Sequence, residues 1–192
     1  KKNIVNCKNV ISIQKNLWEI FLSIMEDLLN PKRTVKRKKE LENSSLHPYL
    51  SPALQIALKC LNSIKKYNFI QIVHKNQMED IQSRSSNILD KLLEVTLGKS
   101  INHSLMKHRV ASHYLEVGIP LLSDDEIYNL YANQFRGNLF TLSKHTTANH
   151  VVQKMITSVR NGPQASLIIS ELLDNIKELL KNRKNIVSAL MH

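Results

Sequence analysis

Glycine and proline are scarce, four and five in 192 residues, so the chain has little of the punctuation that a fold of many short strands needs. Apolar and polar residues rarely alternate, and the sheet classes recede further. The two cysteines, Cys7 and Cys60, fit neither a disulfide framework nor a zinc-binding pattern, which points to a reducing compartment. No apolar run is long enough to span a bilayer, and no signal peptide is recognisable. Neither HExxH nor CxxC occurs. His103, His108 and His113 stand five apart, as do His145 and His150, and on a helix that step turns successive side chains away from one face. Asp90 and Glu116 belong to different segments, each beside a ring or amide, and do not read as a catalytic acid pair. No metal, cofactor, small-molecule substrate or membrane partner is expected, and the chain reads as a binder rather than an enzyme.

What is present is apolar residue in helical periodicity. With 42% hydrophobic and 22% charged residues, the chain has enough apolar side chain for one globular or solenoid unit, and the many i, i+3, i+4 patterns predict an all-α fold. The net charge of +11 and pI near 9.7 predict attraction to polyanions, since neutralising phosphates releases counterions. A merely basic, soluble surface is the plainer reading. Residues Pro31 to Glu40 hold six of the 27 basic residues against one acid, so the excess is partly local. That segment reads as a phosphate contact, a nuclear targeting signal or a solvated loop.

One stretch recurs. KHTTANHVVQKMI, Lys144 to Ile156, predicts a short helix with Asn149, His150 and Gln153 on one edge and Val152 and Ile156 turned to a core. Two amides can hydrogen-bond a base edge, and a flat imidazole can stack on the neighbouring base. The same pattern starts at Ser51 (SPALQIAL), Ser86 (SNILDKLL), Ser112 (SHYLEVGI), Asn149 (NHVVQKMI) and, degraded, Asn185 (NIVSALMH), at intervals of 35, 26, 37 and 36. Positions four and eight of the first four copies are Leu54 and Leu58, Leu89 and Leu93, Leu115 and Ile119, Val152 and Ile156, an i, i+4 buried seam.

These copies resemble Pumilio (PUF) repeats, whose inner helices carry a base-reading pentad with reading residues at its first, second and fifth positions. NHVVQ (149 to 153) resembles a uracil-type pentad and SHYLE (112 to 116) a guanine-type one. The phrases HPYLSPALQIALKCL (47 to 61), HRVASHYLEVGIP (108 to 120) and RGNLFTLSKHTTANHVVQKMI (136 to 156) are similar to the nucleolar, Pumilio-like branch that acts in small ribosomal subunit maturation. The resemblance implies an α-solenoid whose concave face binds single-stranded RNA, with pre-ribosomal RNA as target, proteins of the pre-ribosomal particle as further partners, and a nucleolar or nuclear location. The implied RNA-contacting residues are Asn149, His150 and Gln153; Ser112, His113 and Glu116; Ser86, Asn87 and Asp90; Ser51 and Gln55. Pro52 at a stacking position has no π face, so the first copy should read loosely. An mRNA-regulating Pumilio protein and an armadillo-like or HEAT-like protein scaffold stay open as alternatives.

In order, residues 1 to 15 form a polar lead and 16 to 192 about five partial or complete repeats, with a basic loop at 31 to 45. NLWEIFLSIMEDLLN predicts an amphipathic helix whose Leu17, Phe21, Ile24 and Leu28 pack on a core. Residues 62 to 85 predict a connecting helix around Phe69, Ile72, Val73 and Met78. The short interval from Ser86 to Ser112 predicts a lost stretch of outer helix. Ser123 should cap a helix opening with Asp124, Asp125 and Glu126; Arg136 to Asn138 should turn; ASLIISELLDNIKELLKN should be one long outer helix. The fifth copy has Ala189 where an edge reader is expected and should read nothing. Beginning at Lys1 and stopping within an apolar stretch, the sequence reads as a fragment of a longer repeat domain.

Overall fold

The computed structural model describes residues 17–30, 47, 48, 50–66, 75–97 and 101–191. The described residues contain helices and turns and no strand. In chain order the helices are α1 (17–28), α2 (Leu50–Lys66), α3 (Lys75–Thr96), α4 (His103–Lys107), α5 (Arg109–Gly118), a 3₁₀ turn (Ile119–Leu121), α6 (Asp124–Leu130) running into a π-turn (Tyr131–Phe135), α7 (Leu139–Lys144), α8 (Ala148–Ser158), α9 (Gly162–Leu173), α10 (Ile176–Asn182) and α11 (Lys184–Ala189). None of the described helices is long and apolar enough to cross a membrane.

The chain builds a row of inner helices by direct packing: α2 on α5, α5 on α8, and α8 on α11. This is the solenoid that the seam predicts. Leu54, Leu58, Leu115, Ile119, Val152 and Ile156 are all buried, as are Leu89 and Leu93. Outer segments cover the row: α3 packs along α2, α4 against α5, and α7 against α8. One continuous apolar core, from Leu22 to Ala189, runs through the stack.

Local chemistry sets where the inner helices begin. The imidazole of His108 accepts from Val110 N and Ala111 N, both at 3.3 Å, and caps α5. His145 does the same for α8, accepting from Thr147 N at 3.1 Å and Ala148 N at 3.2 Å. His47 accepts from Leu50 N at 3.4 Å at the start of α2. Each histidine stands four residues before the first pentad position, and its carbonyl takes the amide of Ser51, Ser112 or Asn149. A neutral ring nitrogen thus fills the role that Ser or Asp usually has at a helix start, satisfying amides that would otherwise lack partners.

Polar bolts join neighbouring repeats. Arg160, just after α8, donates to Leu122 O and Pro120 O and pairs with Asp124 at 2.9 Å. Arg183, just before α11, donates to the carbonyls of Ser143 and Lys144 at the end of α7. Between α3 and α5, Tyr114, with no exposed surface, meets the Thr96 hydroxyl at 2.6 Å. The Thr96 hydroxyl also bonds Leu92 O, so with one hydrogen on each group Tyr114 is the donor between them. Burial pushes the Tyr114 hydroxyl up to about 12.

Ser123 caps α6 in a capping box with Glu126, and Arg136 to Asn138 turn, with Gly137 at φ 75°. Three expectations need correction. The helix holding Ser86 has no break before it: α3 runs from Lys75 through Thr96, so Ser86 lies mid-helix, and Phe69, Ile72 and Val73 fall outside the described residues. The long outer helix is broken at Asp174 and Asn175, two poor helix formers, into α9 and α10. In α1 the buried face is Leu22 and Met25, with Trp18, Phe21 and Leu29 half-buried, while Leu17, Ile24 and Leu28 are more than half exposed. The helix turns this way with Glu19 and Glu26, seven apart on one face, both paired to Arg84 of α3 at 2.7 and 2.8 Å.

Candidate nucleic-acid interface

The second and fifth pentad positions of the inner helices face one groove. Its first part, a cleft of about 620 Å³, is lined by Pro52, Gln55 and Lys59 of α2, His113 and Glu116 of α5, and Lys154 of α8. The second part, about 340 Å³, is lined by Glu116, by His150, Gln153, Lys154 and Thr157 of α8, and by Asn185, Ser188 and Ala189 of α11. Glu116 and Lys154 belong to both, which makes the groove continuous.

The first pentad positions lie beneath that surface. Asn149 is buried; its Nδ2 donates to His145 O at 2.9 Å and Thr146 O at 2.6 Å, and its Oδ1 accepts from Gln153 Nε2 at 3.0 Å. Both amide hydrogens are consumed within its own turn. Asn149 therefore orients Gln153, whose Oε1 and second N–H are left for the groove. Ser51 plays the same part: fully buried, it accepts from Gln55 Nε2 at 3.3 Å. Ser112, also fully buried, donates to Arg109 O at 3.3 Å. The sequence expectation set two amides side by side on a base edge, whereas the structure stacks one under the other.

Glu116 differs from its glutamine counterparts. Its Oε1 is buried with no hydrogen-bond partner among the described residues, and His113 Nδ1 approaches at 3.4 Å, near enough for an ion pair only with the ring protonated. An unpaired buried acceptor costs about 1–3 kcal/mol, which a ligand donor would recover. Two donors side by side, as on the edge of guanine, suit it. Gln153 offers one acceptor and one donor, as uracil requires. His113 and His150 are exposed at equivalent positions, and an exposed imidazole is a flat ring of the kind on which an unstacked base can lie.

Ser86, Asn87 and Asp90 do not join this row. They stand on α3, which packs along α2 outside the inner row, and Asp90 lines a different cleft with Leu93, Leu122, Glu126 and Arg160, which meets the groove at Asn62 and Leu121. Their pattern imitates an inner helix because Leu89 and Leu93 are buried in the same i, i+4 way. The sequence held a discriminating signal: His47, His108 and His145 precede three pentads by four residues, and Gln82 stands there before Ser86. Lys59 and Lys154, which bring positive charge to the groove, were also missed by a search confined to pentad positions. Among the described residues no cluster of His, Cys, Asp or Glu could hold a metal ion.

Known proteins show where the sequence belongs. The model of the NOP9-like PUF repeat domain matches residues 7–192. A curated relative, Pumilio homolog 23 of Arabidopsis thaliana, is 35% identical over 98 residues, 50% of this chain. The match spans 13% of the length of that relative. No solved structure matches significantly. With the all-helical row of inner helices and a match over residues 7–192, the chain belongs to the NOP9-like family of PUF repeat proteins.

Proposed function

We propose that the groove binds single-stranded pre-ribosomal RNA and that the protein acts by binding, without catalysis, in nucleolar maturation of the small-subunit (18S) rRNA. The observation that carries the RNA reading is the paired construction of Asn149 with Gln153 and Ser51 with Gln55, in which a buried side chain fixes an amide at the groove surface. Fixed donors and acceptors at regular spacing read a polymer of bases, and Lys59 and Lys154 attract its phosphates. The nucleolar target is supported by the NOP9-like character of the repeats, and proteins of the pre-ribosomal particle are the further partners.

The test is ultraviolet crosslinking in cells followed by sequencing of the bound RNA. Small-subunit precursor RNA, with adducts on peptides containing His113 or His150, is the expected result. Crosslinks confined to messenger RNA would make the protein a post-transcriptional regulator, and recovery of proteins with no RNA would make it a scaffold.

A further inference from the structure

The outer helices α3 and α6 are held apart. At the next junction Tyr131, in the π-turn after α6, donates to Glu171 of α9 at 3.0 Å, and Gln164 of α9 donates to the carbonyl of Asp124 at 3.5 Å. Between α3 and α6 no hydrogen bond or ion pair forms among the described residues, and two clefts of about 560 Å³ each open there instead. Leu93, Leu122 and Glu126 line both, so the clefts are two lobes of one channel. One lobe meets the inner-helix groove at Asn62 and Leu121, and the other shares no residue with it. That second lobe has an apolar floor of Leu97, Ile101 and Leu130, buried yet bordering the space. Asn129 and Asn133, four apart and exposed, stand on its wall, and neither amide has a hydrogen-bond partner among the described residues. Where the lobes join, the charge is negative. Asp90 and Glu126 line the channel, while its Arg160 is already paired with Asp124 at 2.9 Å. Glu126 spends Oε2 on the Ser123 cap and keeps Oε1. On a chain of net charge +11, this is the reverse of a surface that attracts a polyanion.

From this we infer that the channel between α3 and α6 docks an extended peptide segment of a partner protein, with a Lys or Arg at its centre and an apolar residue on each side. The inference stands apart from the RNA reading, which concerns the inner helices. Charge complementarity selects the partner: two carboxylates with no cation of their own repel phosphate and suit one basic side chain. The amides select its conformation. A helix has spent its mid-chain N–H and C=O groups on itself, whereas an extended chain offers both, and an asparagine side chain carries a donor and an acceptor to meet them. Four residues along a helix advance about 6 Å, close to the roughly 6.6–6.8 Å between alternate residues of an extended chain, so Asn129 and Asn133 match two backbone groups on one edge of it. Side chains two apart in such a chain point the same way. The pattern that fits is therefore apolar, any, basic, any, apolar. One apolar side chain enters the lobe over Leu97 and Ile101, the basic one faces Asp90 and Glu126, and the other apolar one meets Leu89 and Leu121. Lobes of this size fall within the range of clefts that enclose small ligands, so each admits a whole side chain.

Panning a random peptide display library on the full chain, followed by fluorescence-anisotropy titration of the selected peptide, tests this. The expected result is enrichment of the pattern apolar, any, basic, any, apolar. Asp90→Lys should weaken binding of that peptide about tenfold or more, and Asn133→Ala about fivefold, the worth of one hydrogen bond, with thermal stability unchanged because both side chains are exposed. Excess short oligouridylate should leave the peptide bound. Enrichment of acidic sequences, or no enrichment, would overturn the inference. Equal affinity of the wild type and both variants would do the same, as would displacement by oligouridylate, which would place the peptide in the inner-helix groove. The RNA reading fails separately, when crosslinking recovers no RNA.

Discussion

The hydroxyl pair of Thr96 and Tyr114 tests whether α3 is an outer helix bolted to α5, the placement that removes Ser86, Asn87 and Asp90 from the inner row. Thr96 donates to Leu92 O and accepts from Tyr114 at 2.6 Å, in the core. Tyr114→Phe deletes one donor while Thr96 keeps its own bond, at a cost of about 1 kcal/mol. Thr96→Val is the harsher change, about 1–3 kcal/mol, because it strands a buried phenol O–H with no acceptor. In the double variant nothing is stranded, so its cost should fall short of the sum of the singles by about 1–2 kcal/mol. Urea unfolding at neutral pH, with equal slopes for all four proteins, measures that coupling. Alkaline titration gives a second readout. The folded value of about 12 for Tyr114 lies above the ordinary 10, so its contribution is whole below pH 10 and fades as pH rises toward 12. Tyr114→Phe should lose less stability across that window, the remainder falling to Tyr131, which burial and its bond to Glu171 also push up to about 12. Additive single costs and an unchanged alkaline profile would refute the packing of α3 on α5.

Leu115→Asp should destabilise by roughly 3 kcal/mol or more in the same assay, because it buries an unpaired charge between α5 and its neighbours. His145→Ala should cost about 1 kcal/mol through loss of the α8 cap and His145→Asn distinctly less, as judged by thermal melting. The Arg84 guanidinium holds the Glu26 carboxyl below its ordinary 4.5, first by hydrogen bonding. That contribution is present above pH 4.5 and lost as pH falls through the lowered value. Fluorescence of Trp18, the only tryptophan and part of α1, should report α1 loosening in acid before the rest unfolds, and Arg84→Ala should abolish the difference between the two transitions.

The solenoid was legible because each seam is a local i, i+4 pattern, and a local pattern survives in one dimension. The same locality misled at Ser86: an outer helix also buries one stripe, and only its place in space, along α2 and outside the row in which α2 packs directly on α5, distinguishes it. The orientation of α1 was hidden for a related reason, since Glu19 and Glu26 find Arg84 about 60 residues away. At the site, residue types announced hydrogen bonding, yet the depth of Asn149 and the unpaired oxygen of Glu116 depend on which side of the helix meets the core.

The most direct measurement converts the fourth helix to the character of the third. Asn149→Ser with Gln153→Glu leaves a small buried polar residue beneath a carboxylate, as Ser112 lies beneath Glu116, and selection from a random RNA pool should then show one position moving from uracil to guanine with helix content unchanged. The same motif from wild type and double variant would contradict base reading by these residues and reassign the groove to phosphate or protein contacts.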